Sequence, residues 1–78
     1  MTNKEKYIQA FTEAFGITEE AAVAAKYQEE QSWDSIGHMS LISILEESFD
    51  IMMDTDDIID FSSFEKGMEI MKKYDVEV

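Results

Sequence analysis

Apolar side chains recur at three- and four-residue intervals through most of this chain of 78 residues. That spacing places them along one face of an α-helix, whereas a half-buried strand would alternate apolar and polar residues. No segment shows a convincing alternation of that kind, and the sequence contains neither an internal repeat nor a low-complexity run. Because so short a chain can build only one small hydrophobic core, we expect a single all-α domain over residues 1–78.

Four predicted helices account for most of the spacing, and their approximate bounds are 4–15, 35–49, 54–60 and 62–74. Gly16 is placed to end the first helix, and Ser62 and Glu65 form a capping box that opens the fourth. Thr18 before two glutamates predicts a further short turn or helix, and residues 26–33 lose the period and are predicted as loop. The fold prediction is therefore a small four-helix bundle with three longer helices and one short third helix.

The charge of the chain is concentrated in one half of it. The formal net charge is −12, and residues 27–65, here called the acidic segment, contain eleven Asp and Glu but no Lys or Arg. Such a balance excludes nucleic acid and anionic membrane surfaces as partners, since both require a basic face. Two readings stay open, an acidic surface that provides only solubility and one that steers basic partner proteins.

Absent residue types narrow the function further. The sequence has no Cys, which excludes a disulfide scaffold, a thiolate zinc site and a cysteine nucleophile. The first residues lack the apolar run of a signal peptide, and no stretch approaches the roughly 20 apolar residues of a membrane span. We therefore expect a soluble cytoplasmic protein, and a monomer.

Ser35 opens the second predicted helix directly after Asp34. A serine at such a position is most often only a helix N-cap. A helix start also presents free N–H groups and the positive end of the helix dipole, which would stabilise a phosphate group carried on that serine.

The sequence around Ser35 resembles the acyl carrier protein family, and the resemblance spans most of the chain. The family signature Asp-Ser-Leu is matched by Asp34-Ser35-Ile36, with one conservative change. The family's ending of the same helix, Leu-Glu-Glu-x-Phe followed by an acid, is matched by residues 45–50. The helix order, the length and the acidity are also similar, so the resemblance implies the four-helix fold of acyl carriers.

The resemblance implies a carrier that is not itself an enzyme. Ser35 would receive 4′-phosphopantetheine from coenzyme A through a Mg²⁺-dependent phosphopantetheinyl transferase, with Asp34 and Ile36 beside the attachment point. The arm would carry acyl groups as thioesters between enzymes of fatty acid, lipid, saccharide or polyketide biosynthesis. The partners would be loading and transfer enzymes with basic docking patches of their own. On this chain the residues expected to contact them are Met39, Glu46, Glu47, Asp50, Asp56 and Asp57.

Two departures from the family indicate a specialised pathway. Gly37 and Ser40 stand where carriers of housekeeping fatty acid synthesis usually have acids. The pattern from Trp33 to His38 is more similar to carriers of saccharide, lipid or polyketide pathways. Two alternatives remain open, namely a stand-alone aminoacyl or peptidyl carrier and an acidic helical interaction domain without a prosthetic group.

Several other side chains support weaker predictions. Trp33 is expected to pack beneath its loop, and His38 to be a surface residue near the arm rather than part of a triad with Ser35 and Asp34. Five methionines are expected to fill the core, where they could also give a deformable interior that admits part of an acyl chain; they are Met39, Met52, Met53, Met68 and Met71.

Residues 54–65 match part of the EF-hand calcium loop. They depart from the EF-hand pattern at Ile58, where the pattern has an oxygen ligand, and at Ile59, where the sharp turn of the loop requires glycine. We therefore expect no specific metal site. Weak divalent binding by the acids of residues 54–60 stays open.

Overall fold

Five α-helices form in the part of the chain that the computed structural model describes, which is residues 2–27, 29 and 33–78. They are α1 (Asn3–Phe15), α2 (Glu19–Val23), α3 (Ser35–Phe49), α4 (Thr55–Asp60) and α5 (Phe64–Lys72). No strand occurs among those residues, and none of their helices has the length and apolar character needed to cross a bilayer. The all-α prediction is confirmed, with the short element after Thr18 as a fifth helix.

The helix starts follow local capping rules, with one shift from the prediction. Thr2 and Glu5 form a capping box at the start of α1 that the sequence analysis did not identify. The cap of α5 is Ser63, not Ser62, and its hydroxyl accepts a hydrogen bond from the backbone N–H of Lys66 at 3.0 Å. The predicted box of Ser62 and Glu65 is therefore wrong by one residue.

The connection between α2 and α3 is attached to the start of α5. Lys26 and Ser63 form an isolated antiparallel bridge. Phe64 donates its backbone N–H to the carbonyl of Ala25 at 3.1 Å, and Tyr27 donates to the carbonyl of Ser62 at 2.8 Å. Of the predicted loop over 26–33, residues 28 and 30–32 lie outside the described part of the chain.

Aromatic rings dominate the interior, where α1 packs against α3. The ring of Phe11 lies at its centre, with centroids 5.1–5.9 Å from those of Tyr7, Phe15, Trp33 and Phe64. These contacts are edge-to-face, the arrangement that the charge distribution of aromatic rings favours. These rings therefore form the centre of the interior, and aliphatic side chains such as Leu41 and Leu45 of α3 complete it.

The methionine prediction is confirmed only in part. Met53 and Met71 are buried and Met68 is partly buried. Met39 and Met52 are 52% and 86% exposed, so for these two the prediction of core positions is wrong. The helical stripe predicted Met39 as a core residue because it could not show how wide a face of α3 its neighbours would cover.

Candidate functional site

Ser35 is the first residue of α3, and its side chain is exposed. The N-cap is Asp34, whose carboxylate accepts a hydrogen bond from the backbone N–H of Gly37 at 2.8 Å. The helix start is thus capped by Asp34, and the reading of Ser35 as an N-cap is wrong. The Ser35 hydroxyl therefore stands at a helix start that does not depend on it.

The electrostatics of this position suit an anionic group. α3 has 15 residues, so its N-terminus carries a fully developed positive dipole end, and the N–H groups of Ser35 and Ile36, unlike that of Gly37, are not taken by the cap. Its first turn contains no acidic side chain beyond the cap itself. A phosphate ester on Ser35 would therefore be stabilised by the helix that presents it.

Two surface cavities meet at Ser35. The first, here called the α3–α4 cavity, has a volume of about 420 Å³ and is lined by Tyr27, Ser35, His38, Met39, Ile58, Ile59, Phe61 and Ser62. The second lies between α1 and α3, has a volume of about 740 Å³ and is lined by Glu13, Ala14, Ser35, Ile36, Met39, Ser40, Ser43 and Ile44. The first cavity is the more apolar in its walls, and Ser35 lies on its rim.

Exposed apolar side chains surround the same serine. Ile36 is 80% exposed, Ile59 72% and Met39 52%. Of the residues at this site, Ile36 and Met39 are predicted from the sequence, whereas Ile59 and the cavity residues Tyr27 and Phe61 are not. The available signal was the pair Ile58-Ile59 between acids, because a six-residue helix cannot bury both neighbours.

His38 is not the surface residue that the sequence suggested. Its ring is half-buried, and its Nδ1 accepts a hydrogen bond from the indole N–H of Trp33 at 2.9 Å. Its Nε2 lies 2.7 Å from the backbone carbonyl oxygen of Ile58 in α4. Both ring nitrogens are thus committed to the fold, so His38 cannot serve as a base for Ser35.

Trp33 itself is fully buried, in agreement with the prediction that its ring packs inside. The indole stacks on the ring of Phe15, with centroids 5.2 Å apart, and lies parallel to His38 with centroids 6.2 Å apart. Trp33 therefore extends the aromatic interior up to the turn that precedes Ser35.

The predicted partner residues divide into two groups. Met39, Glu47, Asp50 and Asp56 are exposed and available to a partner. Glu46 is half-buried, and its carboxylate accepts a hydrogen bond from the backbone N–H of Met53 at 2.9 Å, which holds the chain that leaves α3. Glu46 therefore has a structural contact that the sequence did not indicate.

Asp57 is buried, so its prediction as a partner residue is wrong. Its carboxylate accepts hydrogen bonds from the ammonium of Lys73 at 2.8 Å and from the hydroxyl of Tyr74 at 2.5 Å. The hydrogen bond from Lys73, followed by that from Tyr74, lowers the pKa of Asp57. The Tyr74 hydroxyl also accepts a hydrogen bond from the backbone N–H of Asp54 at 2.9 Å. The hydrogen bonds of Lys73 and Tyr74 therefore hold α4 against the end of α5.

The acids of residues 54–60 do not form a calcium loop. Residues 55–60 are helical, and an EF-hand would require them to wrap around the ion. Among the residues that the structure describes, no group of three or more His, Asp or Glu side chains converges on a point where a metal could bind. Asp57 is in addition occupied by Lys73 and Tyr74.

The site is thus an exposed serine at a helix start, between an apolar cavity and a row of exposed apolar and acidic side chains. Compared with family models, with curated proteins and with solved structures, the chain matches none.

Proposed function

We propose that this protein is an acyl carrier that is modified on Ser35 with 4′-phosphopantetheine. The observation that carries the proposal is the placement of Ser35. Its side chain is exposed on the rim of an apolar cavity, and it is not needed as the N-cap of α3, because Asp34 fills that role. The resemblance of residues 34–36 and 45–50 to acyl carrier proteins supports the same function.

The modification would be carried out by a separate transferase that uses coenzyme A and Mg²⁺. The Ser35 oxygen attacks the phosphorus next to the pantetheine half of the coenzyme's pyrophosphate and forms a serine–phosphate bond. The bond to the other phosphate breaks, 3′-phosphoadenosine 5′-phosphate leaves, and a base of the transferase takes the hydroxyl proton. The carrier supplies the nucleophile and its surroundings, and no catalytic group of its own.

The surface of α3 supports a partner with two kinds of contact. Between Asp34 and Glu46 the sequence has no acid, and the large apolar side chains exposed near Ser35 on α3 are Ile36 and Met39. Glu47 is twelve residues further on, about 18 Å along the axis at the roughly 1.5 Å rise per residue of an α-helix. Partner enzymes would therefore present an apolar surface near the arm and basic groups near the far end of α3.

This distribution supports a specialised pathway over the housekeeping synthesis of fatty acids. The positions of Gly37 and Ser40, where housekeeping carriers usually have acids, are buried and exposed respectively. An enzyme that requires acids there would find none at the start of α3. The pathway itself would be one of lipid, saccharide or polyketide biosynthesis.

The modification can be tested directly. The protein is incubated with coenzyme A, Mg²⁺ and a promiscuous phosphopantetheinyl transferase, and its intact mass and thiol content are measured. Because the sequence has no Cys, every thiol found on the chain after it is separated from coenzyme A and the transferase belongs to the arm. We expect the mass of one phosphopantetheine and one thiol per chain.

Two variants serve as controls. Ser35→Ala should gain neither mass nor thiol, and Ser48→Ala, an exposed serine in the last turn of α3, should be modified like the wild type. A wild-type protein that stays unmodified with several transferases contradicts the proposal, as does a modified Ser35→Ala variant.

A second candidate is an acidic interaction domain that needs no prosthetic group. The exposed apolar residues Ile36, Met39 and Ile59, with the acids Glu47 and Asp56 on the same two helices, favour a docking surface for a basic protein in either case. The same incubation separates the candidates, because an interaction domain would remain unmodified.

A further inference from the structure

His38 forms part of the wall of the α3–α4 cavity and also contacts the aromatic interior behind it. On one side it lines the cavity together with Met39 and Ile58. On the other side its ring is stacked with that of Trp33 and lies 6.4 Å, centroid to centroid, from the ring of Phe61. A group that entered the cavity from Ser35 would therefore meet the imidazole before it met the core.

The imidazole is fixed in this position by two hydrogen bonds. An indole N–H can only donate, so the Nδ1 of His38 must be the unprotonated acceptor, 2.9 Å from the Trp33 nitrogen. Nε2 then carries the proton and donates a hydrogen bond to the backbone carbonyl oxygen of Ile58 at 2.7 Å. His38 thereby joins the turn before α3 to α4, whose Ile58 and Ile59 also line the cavity.

The interior behind His38 offers no ready space. Trp33, Phe11 and Phe61 are at most 1% exposed, and their ring centroids lie 5.4–6.3 Å apart. Protein interiors packed in this way resist added volume, because neighbouring side chains must leave their preferred rotamers. A chain that extended past His38 would have to separate these rings.

We infer that His38 is a specificity-determining residue of this carrier, which confines the carried acyl group to the cavity beside Ser35 and so restricts it to short apolar chains. The inference rests on the proposed function, because the occupant of the cavity is the group on the Ser35 arm. The argument for that occupant is position: Ser35 lies on the cavity rim, and the cavity is lined mainly by Tyr27, Met39, Ile58, Ile59 and Phe61.

Chain length is the variable that tests this inference. A promiscuous transferase can load Ser35 from acetyl-, hexanoyl- or tetradecanoyl-coenzyme A, and the rate of thioester cleavage by hydroxylamine then reports how well each acyl group is shielded. In the wild type we expect hexanoyl to be cleaved several-fold more slowly than acetyl, and tetradecanoyl to gain no further protection. The emission of Trp33, the only tryptophan, should shift with hexanoyl.

Substitution of His38 by alanine should change this profile, and substitution by glutamine should preserve it. His38→Ala frees the volume of the imidazole while the rings of Trp33 and Phe61 stay packed behind it, so more of the tetradecanoyl chain should enter and its thioester should be cleaved more slowly than that of hexanoyl. His38→Gln should restore the wild-type profile, because its amide can accept from Trp33 and donate to Ile58. Ser48→Ala, on the exposed face at the far end of α3, is the matched control and should leave the profile unchanged.

If His38→Ala fails to fold, Ile59→Phe tests the same cavity from its exposed side. The added bulk should abolish the protection of hexanoyl without affecting the core. Protection that rises steadily up to tetradecanoyl in the wild type, or a profile that neither His38→Ala nor Ile59→Phe alters, overturns the inference. Full loading with no shielding of any chain also overturns it while leaving the carrier function intact. Absence of loading overturns both.

Discussion

The indole nitrogen of Trp33 donates to Nδ1 of His38 at 2.9 Å, and this bond satisfies the only polar atom of a side chain that is otherwise fully buried in apolar surroundings. Among the described residues, no buried side-chain nitrogen or oxygen lacks a hydrogen-bond partner. The stability of the fold therefore depends on His38 as an acceptor as well as on the packing of the rings.

His38→Ala should lower the free energy of unfolding by about 1–3 kcal/mol, because it leaves the indole N–H of Trp33 buried without a partner. His38→Gln should recover most of this loss. Urea unfolding, followed by circular dichroism, measures the difference. Equal unfolding midpoints for wild type and His38→Ala would show that water replaces the imidazole at no cost.

Alanine substitution should destabilise the protein at Asp34 but not at Ser35. Asp34→Ala removes the hydrogen bond to the backbone N–H of Gly37 and should cost about 0.5–2 kcal/mol of stability. Ser35→Ala should leave the thermal midpoint nearly unchanged, since Ser35 makes no cap. Thermal unfolding of the two variants measures the difference. A larger loss of stability for Ser35→Ala than for Asp34→Ala would contradict the assignment of Asp34 as the cap.

Gly67→Ala should destabilise the protein although alanine is the better helix former. A Cβ at this buried position of α5 would overlap the hydroxyl of Tyr7 and the ring of Phe61, neither of which has room to move. Overpacking of this kind costs about 1–3 kcal/mol, which exceeds the gain of about 1 kcal/mol in helix propensity. Chemical denaturation measures the net change in the free energy of unfolding. Lys66→Ala, at the preceding exposed position, should stay within about 0.5 kcal/mol of wild type, and a stabilised Gly67→Ala would refute the overlap.

The contact of Asp57 with Lys73 should make the acid side of the stability profile steep. Because the pKa of Asp57 is lowered by the hydrogen bond from Lys73, the unfolded chain binds more protons there than the folded one. Its contribution is present above the unfolded pKa of the carboxyl and is lost as the pH falls through the lowered folded pKa.

Asp57→Asn should therefore flatten the fall of the thermal midpoint between neutral and acid pH. Asp56→Asn, its exposed neighbour on α4, removes the same formal charge and should leave the slope close to that of wild type. Identical slopes for wild type and Asp57→Asn would mean that the ion pair does not control acid unfolding.

Glu47→Lys should slow the proposed modification of Ser35 by a transferase while leaving the fold intact. Glu47 is exposed on α3, so the change affects the field that a basic partner meets, and we expect a loss of up to about tenfold in kcat/KM at low ionic strength that fades as salt is added. Glu20→Lys on α2 makes the same change in net charge outside the acidic segment and should have little effect. Equal rates for both variants would indicate that the acidity serves solubility only.

Glu46→Lys is a poor probe of docking, and the structure gives the reason. Its carboxylate holds the backbone N–H of Met53, so the substitution should lower the thermal midpoint as well as the transfer rate. A thermal midpoint that Glu46→Lys leaves unchanged would show that this hydrogen bond does not stabilise the fold, and Glu46 would then be usable as a probe of docking.

The parts of the fold that could be predicted are those with strong local signals. The bounds of α3 agree with the apolar stripe, and Gly16 ends α1 in the left-handed region at φ 64° as its lack of a side chain allows. The predicted start of α5 was off by one residue because two adjacent serines can both act as caps. In the structure Ser63 takes the cap position, accepting from Lys66 while its backbone pairs with Lys26.

In the candidate site, too, the residues with a local signal were predicted and those whose exposure depends on packing were not. Ser35, Ile36 and Met39 follow from the position of a helix start and from a resemblance in sequence. Asp56 and Asp57 are adjacent and chemically identical, yet one is exposed and the other buried against Lys73 and Tyr74. No local rule separates them, because the direction in which a short helix faces is set by what packs against it.

By itself, the sequence determined the helical class, the concentration of negative charge between residues 27 and 65, and the serine at the start of α3, since periodicity, charge and capping act over a few neighbouring residues. Only the tertiary structure decided that His38 joins Trp33 to Ile58 and that Asp57 is withdrawn from the surface. Those contacts join residues up to 20 positions apart, and they form because buried polar groups must find partners wherever the packed helices bring them.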